Sequence, residues 1–332
     1  MVRFGVIGTG RISDWVLKGA GQDPRIKVTA VCSRSVEAAE AFIARNPLSA
    51  DAKVYTSVEE MAADPEVDAV YIGTPNQTHC EYTITCLNAG KAVLCEKPLA
   101  INVTEGRKMI ETARAKGVLL MEAMISTLNP NFRAAAAKVS EIAPIRNYSS
   151  FYCQYSTKYE ALKRGEIASS FMPGTGGALR DIGIYTLYPL VSLFGRPTSV
   201  RGELHTVDTH KGPSDVSGTA YLYYPGMSAT LTWSKTYDSF QASEIAGEGG
   251  NIILDEIHIA RKAELIPHSA PTSGQGEKPG RYIIEEGLPF NEYYYEFKEF
   301  ADLFENCQSE SAVNSLDTSQ TVLEIIDEIL IK

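Results

Sequence analysis

The sequence predicts an α/β protein: a doubly wound parallel sheet over residues 1–122, then an α+β domain of mainly antiparallel strands over residues 123–332. Three observations carry this prediction. Short apolar runs alternate with helical patterns through the first 122 residues, as βαβ units require. Three turns each close an apolar run: Gly5-Val6-Ile7-Gly8-Thr9-Gly10, Gly73-Thr74-Pro75-Asn76 and Cys95-Glu96-Lys97-Pro98. Strand C-termini in a parallel sheet share one edge, so the three turns should converge on one crevice. Beyond residue 122 the alternation gives way to closely spaced runs rich in Thr, Val, Tyr and Ile. A chain of 332 residues also exceeds one ordinary core, which supports two domains.

The elements follow in order. Val2–Ile7 reads as the first strand, and its glycine turn leads into a helix through Trp15-Val16-Leu17. Residues 28–31 are the second strand, after which Ser33 or Ser35 opens a helix through Ala41-Phe42-Ile43. Ser57-Val58-Glu59-Glu60 has capping-box spacing and starts a brief helix. Residues 67–72 form a strand, residues 78–89 a helix stopped by Gly90, and residues 92–95 the next strand. Asn102-Val103-Thr104-Glu105 opens a helix with Met109, Ile110 and Ala113 on one face, and residues 118–121 are a further strand. In the second domain, residues 145–155 and 198–260 hold the strand-like runs, with a helix over 182–194 that contains Pro189. That proline either kinks the helix and aims Tyr185 inward or marks an earlier end. Residues 265–281, with Pro267, Pro271, Gly274, Gly276, Pro279 and Gly280, read as an exposed loop; residues 291–305 and 315–331 close the chain as amphipathic helices.

Composition narrows the function. Hydrophobic residues make up 44% and charged residues 22%, an ordinary soluble balance, and the net charge of −10 argues against nucleic acid or an anionic membrane as partner. Six cysteines without a C-x-x-C pair indicate a reducing compartment. A strand starting at residue 2 leaves no room for a signal peptide, and charges interrupt every apolar run, so the expected location is the cytoplasm.

The turns carry the chemistry. In Gly8-Thr9-Gly10-Arg11-Ile12-Ser13, Gly8 permits a tight turn and Gly10 lets backbone approach a pyrophosphate at a helix N-terminus; Thr9, Arg11 and Ile12 complete the cradle. Ser13 stands where the dinucleotide fingerprint has Gly or Ala, and it is small enough to keep helix against strand. After the second strand an NAD enzyme places Asp or Glu on the ribose 2′-hydroxyl, whereas this chain has Cys32-Ser33-Arg34. Arg34 can clamp a 2′-phosphate and Ser33 can donate to it, which favours NADP over NAD. Thr74, Pro75 and Asn76 belong to the same edge, and His79 either caps a helix over the cofactor or simply starts that helix. Lys97, between Glu96 and Pro98, has a constrained backbone. Beside the positive nicotinamide of an oxidised cofactor its ammonium is disfavoured, which suits the amine to acid–base work. Glu96 organises the site. The five histidines have no ligand spacing with a cysteine, so no catalytic metal is expected.

These residues resemble the glucose–fructose oxidoreductase / inositol dehydrogenase (Gfo/Idh/MocA) family. Glu96-Lys97-Pro98 is the most specific N-terminal mark, and Gly176-Gly177-Ala178-Leu179-Arg180-Asp181-Ile182-Gly183-Ile184-Tyr185 resembles the family's second signature. The resemblance implies a Rossmann domain, then a domain with a large open sheet used for oligomer contacts, in a dimer or tetramer. It also implies that Lys97 lies beside nicotinamide and the reacting carbon, with a cis bond before Pro98. Where many sugar and inositol dehydrogenases read Asp-x-x-x-His, this chain has Asp181 and Tyr185. The tyrosine resembles the dihydrodiol dehydrogenase and NADP-dependent xylose dehydrogenase branch. Spaced i and i+4 on a helix, Asp181 and Tyr185 share a face. Lys97 and Tyr185 would then handle a hydroxyl proton while Asp181 orients hydroxyls. An unperturbed tyrosine titrates near ~10, so Tyr185 needs the lysine to act as a base. Tyr155, Lys158, Phe171 and Arg180 are further pocket candidates, and Tyr293-Tyr294-Tyr295 reads as helix packing. The expected activity is hydride transfer between NADP and a sugar-like alcohol, hemiacetal or vicinal diol. The alternatives are a catalytically silent NADP-binding regulator and an NAD-dependent glycosidase of the same fold.

Overall fold

The computed structural model describes residues 1–268 and 280–331, and the chain divides into two compact units. The first comprises residues 1–125 and 290–323. Its elements alternate: β1 (Val2–Ile7), α1 (Arg11–Ala20), β2 (Ile26–Cys32), α2 (Val36–Arg45), β3 (Lys53–Tyr55), α3 (Val58–Ala63), β4 (Ala69–Ile72), α4 (His79–Asn88), β5 (Ala92–Glu96), α5 (Val103–Lys116) and β6 (Leu120–Ala123). The sheet runs β3-β2-β1-β4-β5-β6 with every pairing parallel. Strand order reverses between β1 and β4, which opens a crevice at their C-terminal ends. Strands β4 and β5 are buried along their whole length, which is why they read as unbroken apolar runs. Helix starts follow their side-chain caps: Ser35 accepts from the Ala38 amide, Ser57 from Glu60 and Asn102 from Glu105. Ser35, not Ser33, is therefore the cap of α2. The three-residue β3 lies beyond the elements read from sequence, being too short to show a period.

The expected boundary at 122/123 differs from this division, because residues 290–323 return to the first unit. The reason is packing. Phe297 and Phe300 of α10 (Tyr294–Glu305) each stand 5.2 Å from the ring of Phe4 on β1. Leu316 and Leu323 of α11 (Leu316–Ile331) join the core built on β2, β4 and β5. Amphipathic spacing says that a helix will cover a sheet but not which one.

The chain enters the second unit, residues 126–289 and 324 onward, through α6 (Ile125–Leu128). There follow α7 (Pro130–Lys138), β7 (Ile145–Cys153), α8 (Tyr159–Lys163), α9 (Ile184–Phe194), β8 (Ser199–Thr209), β9 (Gly212–Tyr224), β10 (Met227–Ser234), β11 (Ser243–Gly247), β12 (Gly250–Leu254), β13 (Lys262–Pro267) and β14 (Tyr282–Glu286). They form one sheet in the order β14-β13-β12-β11-β7-β10-β9-β8, antiparallel except for β7 beside β10. Met227, Ala229, Leu231 and Trp233 of β10 are buried while Ser228, Thr230 and Thr232 are only half-buried. Such alternation is the mark of a sheet covered on one face. Residues 265–267 lie in β13, not in the loop expected over 265–281; Pro271, Gly274, Gly276 and Pro279 fall outside the described residues. Among the described residues, no helix is long and apolar enough to cross a membrane.

Candidate active site

The first unit brings all three turns to one sheet edge. Gly8 N–H donates to the Cys32 carbonyl of β2 and Gly73 N–H to the Ile7 carbonyl of β1. Gly8 has φ +97°, and a Cβ there would lie 2.6 Å from the Gly73 carbonyl oxygen. Only glycine meets both demands. Gly10 is the N-cap of α1, offers no side-chain cap, and a Cβ on it would meet nothing within 4 Å. The first amides of α1 therefore face open space, which suits a pyrophosphate. Ser13 is buried and donates through Oγ to the Gly8 carbonyl at 2.8 Å, so the departure from the fingerprint ties helix to turn. Thr9 Oγ1 and Ser33 Oγ are 3.2 Å apart, and Arg34 is exposed beyond them. Arg45, absent from the sequence-based candidates, donates to the Thr9 carbonyl at 2.9 Å and braces the turn from α2. Arg11 is exposed and lies over the Trp15 ring, while Ile12 is half-buried. Thr74 and Asn76 are half-buried and Pro75 exposed; the Thr78 hydroxyl donates to Thr74 Oγ1 at 2.7 Å.

The lysine turn is held at four points by buried groups. Tyr71 O–H donates to Glu96 Oε1 at 2.9 Å, and Lys97 N–H donates to Glu96 Oε2 at 3.2 Å. Leu99 N–H donates to Glu122 Oε1 at 2.9 Å. His79 Nδ1 lies 2.9 Å from the Pro98 carbonyl oxygen, and its Nε2 lies 3.0 Å from that of Thr74. The Lys97–Pro98 bond is cis. His79 is fully buried with both ring nitrogens on main-chain carbonyls, so it joins two turns rather than offering a nitrogen to a ligand. Burial lowers its pKa, the two carbonyls opposing. Burial raises Glu122 to about 7 despite hydrogen bonds from Ser319 and Leu99. Glu96 turns inward as an organiser, leaving Lys97 half-buried at the strand end.

In the second unit, the signature residues sit on a π turn (Leu179–Gly183) that runs directly into α9. The helix continues through buried Pro189 to Phe194, so the irregularity that sets Tyr185 lies before it, not at the proline. Leu179 N–H donates to Asp215 at 2.7 Å, and a Cβ on Gly177 would overlap that carboxylate. A Cβ on Gly183 would press on the Trp233 indole at 2.9 Å, so the bulkiest buried side chain of β10 fixes the turn. Asp181 Oδ2 pairs with Lys235 Nζ at 2.6 Å; that nearly buried ammonium also donates to the Ser170 carbonyl and lies 3.8 Å from the Phe171 ring centroid. Tyr185 meets Tyr152 edge-on at 5.6 Å, and Tyr152 stacks on His258 at 4.0 Å. Burial pulls His258 down to about 4. Lys235, Tyr152 and His258 were invisible in the sequence, since none sits in a motif.

Two pocket candidates are corrected. Phe171 is wholly buried in a small core with Leu162 and Val216. Arg180 is buried, its guanidinium 3.8 Å from Asp327. Tyr155 and Lys158 are exposed. Tyr294 stacks on Phe290 at 4.2 Å as helix packing. Among the described residues there is no cluster of three metal-ligating side chains.

A glycine cradle at a helix N-terminus, with a fixed lysine on the same edge of a parallel sheet, defines a dinucleotide-binding oxidoreductase fold. Residues 2–124 match the model for the oxidoreductase family with an NAD-binding Rossmann fold, and residues 137–253 match the Gfo/Idh/MocA C-terminal domain. The chain belongs to the Gfo/Idh/MocA oxidoreductase family. It is 38% identical to the scyllo-inositol 2-dehydrogenase (NADP(+)) IolU of Bacillus subtilis, over 99% of this chain and 96% of that protein. It is 28% identical to the trans-1,2-dihydrobenzene-1,2-diol dehydrogenase of Macaca fuscata fuscata, over 99% and 96%. Levoglucosan dehydrogenase, solved with NADH and levoglucosan, shares the fold at a TM-score of 0.84 and 20% identity, over 99% and 96% of the two chains.

Proposed function

We propose that this protein is an NADP-dependent dehydrogenase acting on a sugar-like secondary alcohol, hemiacetal or vicinal diol. The observation that carries the reading is the lysine turn, locked at four points on the same sheet edge as the open glycine cradle. Two relatives, an inositol dehydrogenase named for NADP(+) and a diol dehydrogenase, support the polyol class. When bound, the nicotinamide supplies or accepts the hydride. The residues of the chain do the rest. Gly8, Thr9, Gly10, Arg11 and Ile12 hold pyrophosphate on the amides of α1. Thr74, Pro75 and Asn76 line the neighbouring strand end. Ser33 and Arg34 take a 2′-phosphate, and no carboxylate stands in Cys32-Ser33-Arg34 to repel it. Lys97 exchanges the substrate hydroxyl proton, and Tyr185 is the second residue proposed to handle it. Asp181, paired with Lys235, accepts hydrogen bonds from hydroxyls. The half-polar open face of the second sheet is the proposed contact between copies, and the cytoplasm the proposed location.

The test is a fluorescence titration with NADPH and NADH beside a polyol panel. Wild type should prefer NADPH, and Arg34→Asp should cost NADPH about tenfold or more in affinity while sparing NADH. Lys97→Met should cut turnover by a factor of about 10²–10⁴ with NADPH affinity nearly unchanged. NADPH binding with no turnover on any polyol would favour the silent regulator.

A further inference from the structure

One cation in the second unit is closed off from solvent while the carboxylate it holds is not. Lys235 directly follows β10, and its side chain is 4% exposed. Its main-chain N–H donates to the Val216 carbonyl of β9 at 2.9 Å, which fixes the root of the side chain. Three contacts fix the other end. The ammonium donates to Asp181 Oδ2 at 2.6 Å and to the Ser170 carbonyl at 2.9 Å, and it lies 3.8 Å from the Phe171 ring centroid. Those anchors are themselves held. The Ser170 carbonyl also accepts from Gly177 N–H at 3.2 Å, and the Phe171 carbonyl accepts from Ser214 Oγ at 2.6 Å. Asp215, the other carboxyl that feels the ammonium, is buried and accepts from Leu179 N–H at 2.7 Å, where the π turn that carries Asp181 begins. Asp181 itself is 33% exposed.

Burying an ammonium is costly, and a buried ion pair often does no better than a well-packed apolar replacement. A methionine would lay a similar stem on Phe171 without that cost. What the ammonium adds is direction. A partly exposed aspartate ordinarily samples several rotamers. Here one oxygen is drawn back onto a cation whose root and tip are both fixed, so the carboxylate keeps a single orientation. The lysine end of the pair is closed and the aspartate end open.

We propose that Lys235 is a positioning residue for Asp181: it locks the carboxylate in the orientation that receives one substrate hydroxyl, and so makes that hydroxyl a condition of tight binding. The inference rests on the reading above in which Asp181 orients hydroxyls. Lys235 is closed off and does not meet the substrate itself. An acceptor already in place need not be ordered when the substrate arrives, which favours affinity. The contribution is made to bound substrate and transition state alike, so it belongs in KM and not in kcat.

The test takes full-length protein, one polyol that turns over and its monodeoxy analogues, each lacking one hydroxyl. On the polyol, Lys235→Met should raise KM about tenfold, with kcat within severalfold and NADPH affinity unchanged. One analogue should show wild type a KM about tenfold higher and lose nothing further in Lys235→Met, because the hydroxyl that Asp181 receives is already gone. A lysine serving the fold alone would penalise the polyol and every analogue equally, and that result overturns the proposal. Where Lys235→Met folds poorly, the double variant Lys235→Met/Asp181→Ala removes both charges of the pair. Its KM should match that of Asp181→Ala alone, since nothing remains for the lysine to position; a double variant clearly weaker than Asp181→Ala also overturns the proposal. A crystal structure of Lys235→Met should show the Asp181 side chain turned from its wild-type place while residues 170–171 and 214–216 keep theirs, and an unmoved carboxylate sinks the idea. A panel without turnover would instead count against the dehydrogenase reading, and the crystal structure would still decide this one.

Discussion

The Lys97 turn is fixed by side chains buried beneath it. Tyr71, Glu96, His79 and Glu122 each fix one main-chain or carboxyl atom of the turn, and all four are buried. Their own ionisation then matters to the fold. Glu122 is raised from 4.5 to about 7 by burial, so the folded chain holds a proton that the unfolded chain has released. Stability from this group is complete below about pH 4.5 and falls as pH rises toward about 7, by about 3 kcal/mol at most. Glu122→Gln keeps an acceptor for Leu99 N–H and loses the proton. Chemical denaturation across that window should show wild type losing stability relative to the variant as pH rises. Parallel curves would mean that Glu122 titrates normally.

At the level of elements, the β1–α1 turn separates two uses of glycine. Gly8 is required by backbone, with φ +97° and a neighbouring carbonyl where its Cβ would go. Gly10 has φ −79° and nothing nearby. Gly8→Ala should therefore cost about 1–3 kcal/mol of stability, read by urea unfolding. Gly10→Ala should unfold almost as wild type yet bind NADPH more weakly. This turn was legible in sequence because its logic is local: a strand end, two glycines and a helix start lie within ten residues. So was Glu96-Lys97-Pro98. The π turn was not, because Trp233, which shapes it, stands 50 residues further along on β10. Lys235 reaches Asp181 across a similar gap, and an isolated lysine in Trp-Ser-Lys-Thr carries no sign of a carboxylate partner. Glu296 lies in the stretch read as an amphipathic helix over 291–305, and only packing shows it turned inward.

For the molecule as a whole, the sequence showed two kinds of sheet and where one gives way to the other. What it hid was the route of the chain. Residues 290–323 supply the aromatic pair over Phe4 and the leucines beside β2 and β4, so the first sheet is completed by residues made nearly two hundred positions later. Residues 126–289 are in this sense an insertion, bounded on both sides by polypeptide of the first unit, while residues 324 onward belong to the second. A gene cut at codon 122 should give a product that exposes Phe4 and binds a hydrophobic dye instead of unfolding cooperatively. Joining residue 125 to residue 290 through a short glycine bridge should restore a sharp transition. On the ribosome the same arrangement makes the nucleotide half wait, unfinished, until residue 323 has emerged.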